Sequence, residues 1–192
     1  MNMGAITPVN TLYLGAIGSA LNVYVAGNYA YVSVSPVGLK IVDISTPSNP
    51  IVVGFLSTTG AQSVFVKGNY AYLIDSNQLK VINVANASSP ALVTTLSIFG
   101  STTTIQMSAV GNYLYITAYA VSGSNTFDLK VVSISNPASP TLVGSLTISG
   151  VNYGISVSGG YAFVGTYSGF CIINVSVPST PVLITTVSTP FG

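Results

Sequence analysis

The sequence predicts an all-β protein: a β-propeller of four four-stranded repeat units, or blades, with an additional N-terminal strand. Three recurring landmarks predict it. Gly27-Asn28-Tyr29 returns as Gly68-Asn69-Tyr70, Gly111-Asn112-Tyr113 and Gly159-Gly160-Tyr161, at spacings of 41, 43 and 48 residues. Residues 39–45 read LKIVDIS, and 79–85, 129–135 and 170–176 read LKVINVA, LKVVSIS and FCIINVS. Pro50, Pro90, Pro140 and Pro181 then precede IVVGFLS, ALVTTLS, TLVGSLT and VLITTVS.

Each unit divides into four short strands. In the first unit these are Leu21 to Ala26, Tyr29 to Val34, Leu39 to Ile44 and Ile51 to Leu56. They read as strands because Val, Ile, Tyr and Thr dominate short runs bounded by turn residues. Gly-Asn between the first two is a tight-turn signal, since both residues accept positive φ. The proline before the fourth strand suits an outer position, where a missing N–H costs little. The units run over approximately 19–58, 59–98, 99–149 and 150–190, within a single domain of residues 1–192.

Alternation explains why the units must stack. Val23 and Val25, Val64 and Val66, Met107 and Ala109, and Ile155 and Val157 fall on one face of each unit's first strand. Aromatics recur in the second: Tyr29 and Tyr31, Tyr70 and Tyr72, Tyr113 and Tyr115, Tyr161 and Phe163. Both faces of each small sheet are therefore partly apolar. One sheet cannot bury both alone, whereas a radial stack can.

Pro8 precedes Gly27 by 19 residues, much as Pro50 precedes Gly68 by 18 and Pro140 precedes Gly159 by 19. Residues 8–18 are thus predicted to be a fourth-type strand lacking its own first three. It has no vacancy within the chain, because the last unit carries its own, Val182 to Val187. Either two chains share one larger ring, or the surplus strand pairs with a neighbouring subunit and propagates a polymer.

Charge is scarce. Only 4% of residues are charged, against about 25% in ordinary soluble domains. They are Lys40, Lys67, Lys80, Lys130, Asp43, Asp75 and Asp128; Arg, Glu, His and Trp are absent. A net charge of +1 offers little self-repulsion, which suits a subunit of an assembly. Four scattered lysines cannot neutralise a run of phosphates, so nucleic acid is excluded as a partner. Mean hydropathy is +0.68, yet no run of 18 apolar residues exists and no transmembrane segment is expected. A membrane barrel needs longer alternating runs than these. Residues 1–10 lack the features of a signal peptide, so export would use a segment outside this chain or none, as in a virus particle.

The motif LKIVDIS, followed by a proline-containing turn and preceded by GNYAYV, resembles the LVIVD-repeat family over roughly residues 7–187. The resemblance implies a β-propeller of the kind found in surface-associated bacterial and archaeal proteins, and implies no activity. The family's Asp is present as Asp43 but becomes Asn83, Ser133 and Asn174 in the later units.

No enzyme is expected. Cys171 has no His to serve as its base, and the three Asp lie in different units. No catalytic residue, cofactor site or metal site is assigned. Asp75-Ser76-Asn77-Gln78 gathers hard oxygens of the sort calcium uses, but a turn-closing role is preferred. Lys40, Lys80 and Lys130 share one repeat position, with Cys171 in the fourth; they are read as solvated strand ends that discourage edge pairing. Cys171 is then either a surface thiol or a small buried hydrophobe. Tyr119, Tyr153 and Tyr167 fall outside the repeat register and are the candidates for a partner or ligand surface. The third unit is longer between its second and third strands, and the added loop, Tyr119 to Phe127, is where a unit-specific function would be grafted. Asn86 and Asn174 head glycosylation sequons, Asn86 being the better placed.

Two functions compete. The first is a self-associating structural subunit of an extracellular filament, surface layer or virion, located outside the cell or on the cell or virion surface. The second is a recognition module for a ligand or glycan, suggested by the Tyr, Ser and Asn content.

Overall fold

The computed structural model describes residues 9–14, 18–100, 102–120 and 125–189. Its strands form four separate four-stranded antiparallel sheets. The first holds β1 (Ser19–Ala26), β2 (Tyr29–Ser35), β3 (Gly38–Asp43) and β4 (Ile51–Ser57). The second holds β5 (Ala61–Lys67), β6 (Tyr70–Asp75), β7 (Gln78–Asn83) and β8 (Ala91–Ser97). The third holds β9 (Thr102–Val110), β10 (Tyr113–Ala120), β11 (Thr126–Ser133) and β12 (Thr141–Ser149). The fourth holds β13 (Asn152–Ser158), β14 (Tyr161–Thr166), β15 (Gly169–Asn174) and β16 (Val182–Ser188). In every sheet the strands lie side by side in chain order, so each unit is one up-and-down blade. Four separate sheets are not the continuous closed sheet that a membrane barrel requires.

The same local chemistry builds each blade. Gly27, Gly68, Gly111 and Gly159 take φ of 55–60° in the turns after the first strand. In the first two blades this two-residue link sets Ala26 opposite Tyr29 and Lys67 opposite Tyr70. The carbonyls of Asn28, Asn69, Asn112 and Gly160 then accept the N–H of Ile44, Val84, Ile134 and Val175, tying that turn to the end of the third strand. The family Asp explains itself here. Asp43 Oδ1 accepts the Ser45 N–H at 2.8 Å, which holds its carboxyl below the usual carboxylate range. Asn83 accepts from Ala85 at 2.9 Å and Asn174 from Ser176 at 2.9 Å. In three blades a short acceptor, Asp or Asn, thus ties off the strand end, and in the third the Ser133 hydroxyl meets that of Ser135 at 3.2 Å instead.

β1, β5, β9 and β13 pack on one another in sequence and form the inner edge of the array. Three apolar layers fill the gaps between successive blades. Between the first two blades, Tyr31, Leu39 and Ile41 meet Val64, Val66, Leu73 and Ile82. Between the second and third, Tyr72, Leu79 and Val81 meet Ile105, Leu114, Ile116 and Val132. Between the third and fourth, Tyr115, Leu129 and Val131 meet Ala162, Val164, Cys171 and Ile173. Each blade thus has a back face, bearing the paired apolar residues of its first strand, and a front face, bearing the paired aromatics of its second. The fold is propeller-like but does not close on itself: the layers join successive blades, and among the described residues none joins the fourth to the first.

The N-terminal strand expected over 8–18 is not formed in its described part. Residue 8 and residues 15–17 lie outside the described residues, and residues 9–14 belong to no sheet. The physical reason is the missing neighbour: a fourth-type strand hydrogen-bonds to a third, and this segment has none of its own. It keeps the strand's side-chain alternation nonetheless. Leu12 and Leu14 turn inward onto Val32, Val34 and Val42 of the first blade's back face, while Tyr13 points outward.

Candidate functional site

The repeat position of a residue decides which way it faces, and the existence of a neighbour decides whether it is covered. Val64 and Val66, on the back face of the second blade, are 4% and 5% exposed, whereas Val23 and Val25, their counterparts on the first, are 58% and 56% exposed. Tyr72, on the front face of the second blade, is 1% exposed, but Phe163, its counterpart on the fourth, is 40%. Tyr161 and Val187 join Phe163 on that uncovered front, with Phe170 and Ile172 partly buried beside them. Residues 131–192 carry no charge, so this face is neutral throughout. The array therefore ends in two apolar faces, one of each kind that the internal layers join.

A groove of about 330 Å³ opens along the inner edge, lined by Asn22, Val23, Tyr24, Ser63, Val64, Phe65, Met107, Ser108 and Ala109. Tyr24 and Phe65 meet edge to face at 5.0 Å between ring centroids. Asn22 Oδ1 accepts the Val64 N–H at 3.1 Å, so one blade caps the inner edge of the next.

The candidate tyrosines are dispersed over two blades. Tyr153, at a bulge in β13, and Tyr167, in the β14–β15 turn, are both well exposed at one end of the fourth blade. Tyr119 lies in β10, half-buried, opposite Phe127. The expected loop from Tyr119 to Phe127 is thus partly strand: the added residues lengthen the β10–β11 hairpin, and Phe127 is fully buried. Residues 121–124 lie outside the described residues.

The lysines are not solvated strand ends. Lys80 pairs with buried Asp75 at 2.6 Å, and Asp75 also accepts the Gly60 N–H at 2.6 Å. Lys130 lies 3.5 Å from Asp128 and donates to Ser145 Oγ at 2.8 Å. Lys40 has Val34 where Lys80 has Asp75, and it donates instead to the Leu14 carbonyl. Asp75 is therefore an ion-pair partner inside its blade. Cys171 is fully buried within the layer between the third and fourth blades, which decides between its two readings. Asn86 is exposed, and its side chain accepts from Ser88; Asn174 ends β15 half-buried, its carbonyl oxygen held by the Ser176 N–H and hydroxyl. Among the described residues no group of three metal-ligating side chains comes together. Nor, among the described residues, is any helix long and apolar enough to cross a membrane.

The sequence profile of the LVIVD repeat matches four times, over residues 17–58, 60–97, 100–148 and 149–189. A search of curated proteins finds no match. Among solved structures, the chain is similar to a functionally unknown protein from Desulfotomaculum acetoxidans, at 15% identity and a TM-score of 0.73, over 91% of this chain and 57% of that one. It is also similar to the computationally designed Ika4 protein, at 12% identity and a TM-score of 0.60, over 83% of this chain and 92% of that one. The designed Ika8 protein aligns at 12% identity and a TM-score of 0.62, over 85% of this chain and 48% of that one. The chain thus spans about half the length of Ika8 and of the Desulfotomaculum protein. These likenesses concern the fold.

Proposed function

We propose that this chain, which belongs to the LVIVD-repeat family, is a non-enzymatic structural subunit that associates with copies of itself through its end blades, in an extracellular filament, surface layer or virion. One observation carries the reading: the back of the first blade, open at Val23 and Val25, and the exposed front of the fourth are the two halves of a layer already made three times inside the chain. Covering a Val or Phe side chain contributes about 1.5–3 kcal/mol when burial is complete. Placing Val23, Val25, Tyr161 and Phe163 in one joint is therefore a substantial drive. A head-to-tail joint either closes into a ring or continues into a filament. Two chains would make a ring of eight blades, at the upper end of the range of about 4–8. A net charge of +1 and a fourth-blade front without charge oppose such contacts little.

Sedimentation velocity across a dilution series tests the proposal. Mass should rise with concentration, and Val23→Asp should return the protein to a monomer. A monomer at every concentration, or association indifferent to Val23→Asp, contradicts it.

The inner groove favours a second reading, a recognition module. Tyr24 and Phe65 offer ring faces and Asn22 and Ser108 offer hydrogen bonds, the mixture that binds glycans and other small polar ligands. Binding on a glycan array that is lost with Tyr24→Ala supports that reading; an array with no binding removes it.

A further inference from the structure

Resting on that reading, we propose that residues 9–14 are a displaceable cap on the first blade, occupying the place that β16 of a second copy takes when two chains join. The repeat itself identifies the place. Leu56, Leu96 and Leu146 each lie six residues after a proline. Each packs, partly buried, in the layer between its own blade and the next. Leu14 lies six residues after Pro8, and Val187 six after Pro181. Leu14 already packs against the back of the first blade. Val187, on the open front of the fourth blade, has no next blade to reach.

The polar contacts agree with the apolar ones. Between the first two blades, Gly54 lies against the Ala87 carbonyl in the β7–β8 turn, so closely that a Cβ would sit 1.8 Å from it. On the first blade the corresponding β3–β4 turn is met by the capping segment: Asn10 Nδ2 donates to the Ser48 carbonyl at 2.7 Å. Lys40 donates to the Leu14 carbonyl. One site on the first blade cannot hold both Leu14 and the Val187 of a neighbour.

The cap is also incomplete. It covers Val32, Val34 and Val42 but leaves Val23 and Val25 exposed. A second copy brings Tyr161, Phe163, Phe170 and Ile172 together with Val187, a whole blade front against two leucines. The exposed valines are a foothold, and completing the joint expels the cap. Opening the cap subtracts from the affinity of the joint, because only the open fraction of molecules can bind fully.

The test uses the full chain with Leu12→Ser and Leu14→Ser together, and compares its self-association with that of the unaltered protein by sedimentation. The altered chain should associate about tenfold more tightly, with the cap's competition removed. Equal affinity overturns the cap. Weaker association also overturns it, by making the segment a connector between copies while the head-to-tail joint stands. Association by neither protein overturns the cap and the joint together. A spin label at Tyr13→Cys on the otherwise unaltered chain gives a second readout that does not depend on how the double variant folds. Its mobility should rise as the protein associates, and unchanged mobility in an associated sample overturns the cap.

Discussion

Leu14 and Val187 hold the same place in the repeat, six residues past a proline, yet Leu14 packs on the first blade and Val187 has no blade to pack on. The difference is the array's lack of closure, expressed in two side chains. It leads to a contrast between Val187 and its counterpart Leu56, which is half-buried between the first two blades. Leu56→Ala should destabilise the dilute protein by about 1–3 kcal/mol, from lost burial and a partial cavity. Val187→Ala should stay within about 0.5 kcal/mol. Urea unfolding of the two variants at low concentration checks this.

The two ion pairs should differ as sharply. Asp75 and Lys80 meet at 2.6 Å with side chains 3% and 19% exposed. Asp75→Ala leaves a largely covered ammonium unpaired and should cost about 2–4 kcal/mol. Asp128 and Lys130 are 3.5 Å apart, Asp128 is 31% exposed, and Lys130 also donates to the Ser145 hydroxyl. Asp128→Ala should cost about 0–1 kcal/mol. Chemical denaturation resolves a difference of that size.

Gly54 tests the contact between neighbouring blades. A methyl group there meets the Ala87 carbonyl, which belongs to backbone and cannot swing aside. Gly54→Ala should destabilise by about 2–4 kcal/mol through forced separation of the first two blades. At Gly100 an added Cβ meets nothing within 4 Å, so Gly100→Ala should change stability little by comparison. Thermal unfolding of the pair measures the contrast.

Alkaline pH should loosen the layers. Burial raises the phenols of Tyr31, Tyr72 and Tyr115 above their ordinary value of 10.0, and Tyr29, Tyr70 and Tyr113 beside them add to it. A group whose folded pKa lies above its unfolded value contributes stability that is intact below the unfolded value and lost as pH rises through the folded one. Stability should therefore hold up to about pH 10 and fall above it. Ultraviolet titration should show a late set of tyrosines ionising together with unfolding. Ionisation of every tyrosine near pH 10 in a folded protein would contradict this.

Much of the fold was legible because the landmarks are local. A glycine at positive φ before the second strand, a short acceptor after the third and a proline before the fourth each encode one turn. Alternation encodes which face a side chain takes, and Val64, Tyr72 and Leu114 obey it. What alternation does not encode is whether a neighbour is present. Tyr161 is in register with half-buried tyrosines and Phe163 with buried ones, and both are exposed all the same. The lysine position misled for a similar reason. Its surroundings come from the adjacent strand and the capping segment, so Lys80 finds Asp75 while Lys40 finds a carbonyl of Leu14. Residues 9–14 carry the pattern of a strand, but a strand needs an edge to bond to, and each third strand among the described residues is already paired on both sides.

The central claim, that the front of the fourth blade joins the back of the first on another copy, is tested most directly by mixing two disabled chains. Val23→Asp spoils only the back face and Phe163→Asp only the front. Each variant alone should remain a monomer of 19.6 kDa. Mixed in equal amounts, they retain one sound face of each kind and should form a one-to-one dimer that grows no further, measured as a doubled mass by light scattering. Two variants that stay monomeric when mixed, while the unaltered protein associates, would contradict the account.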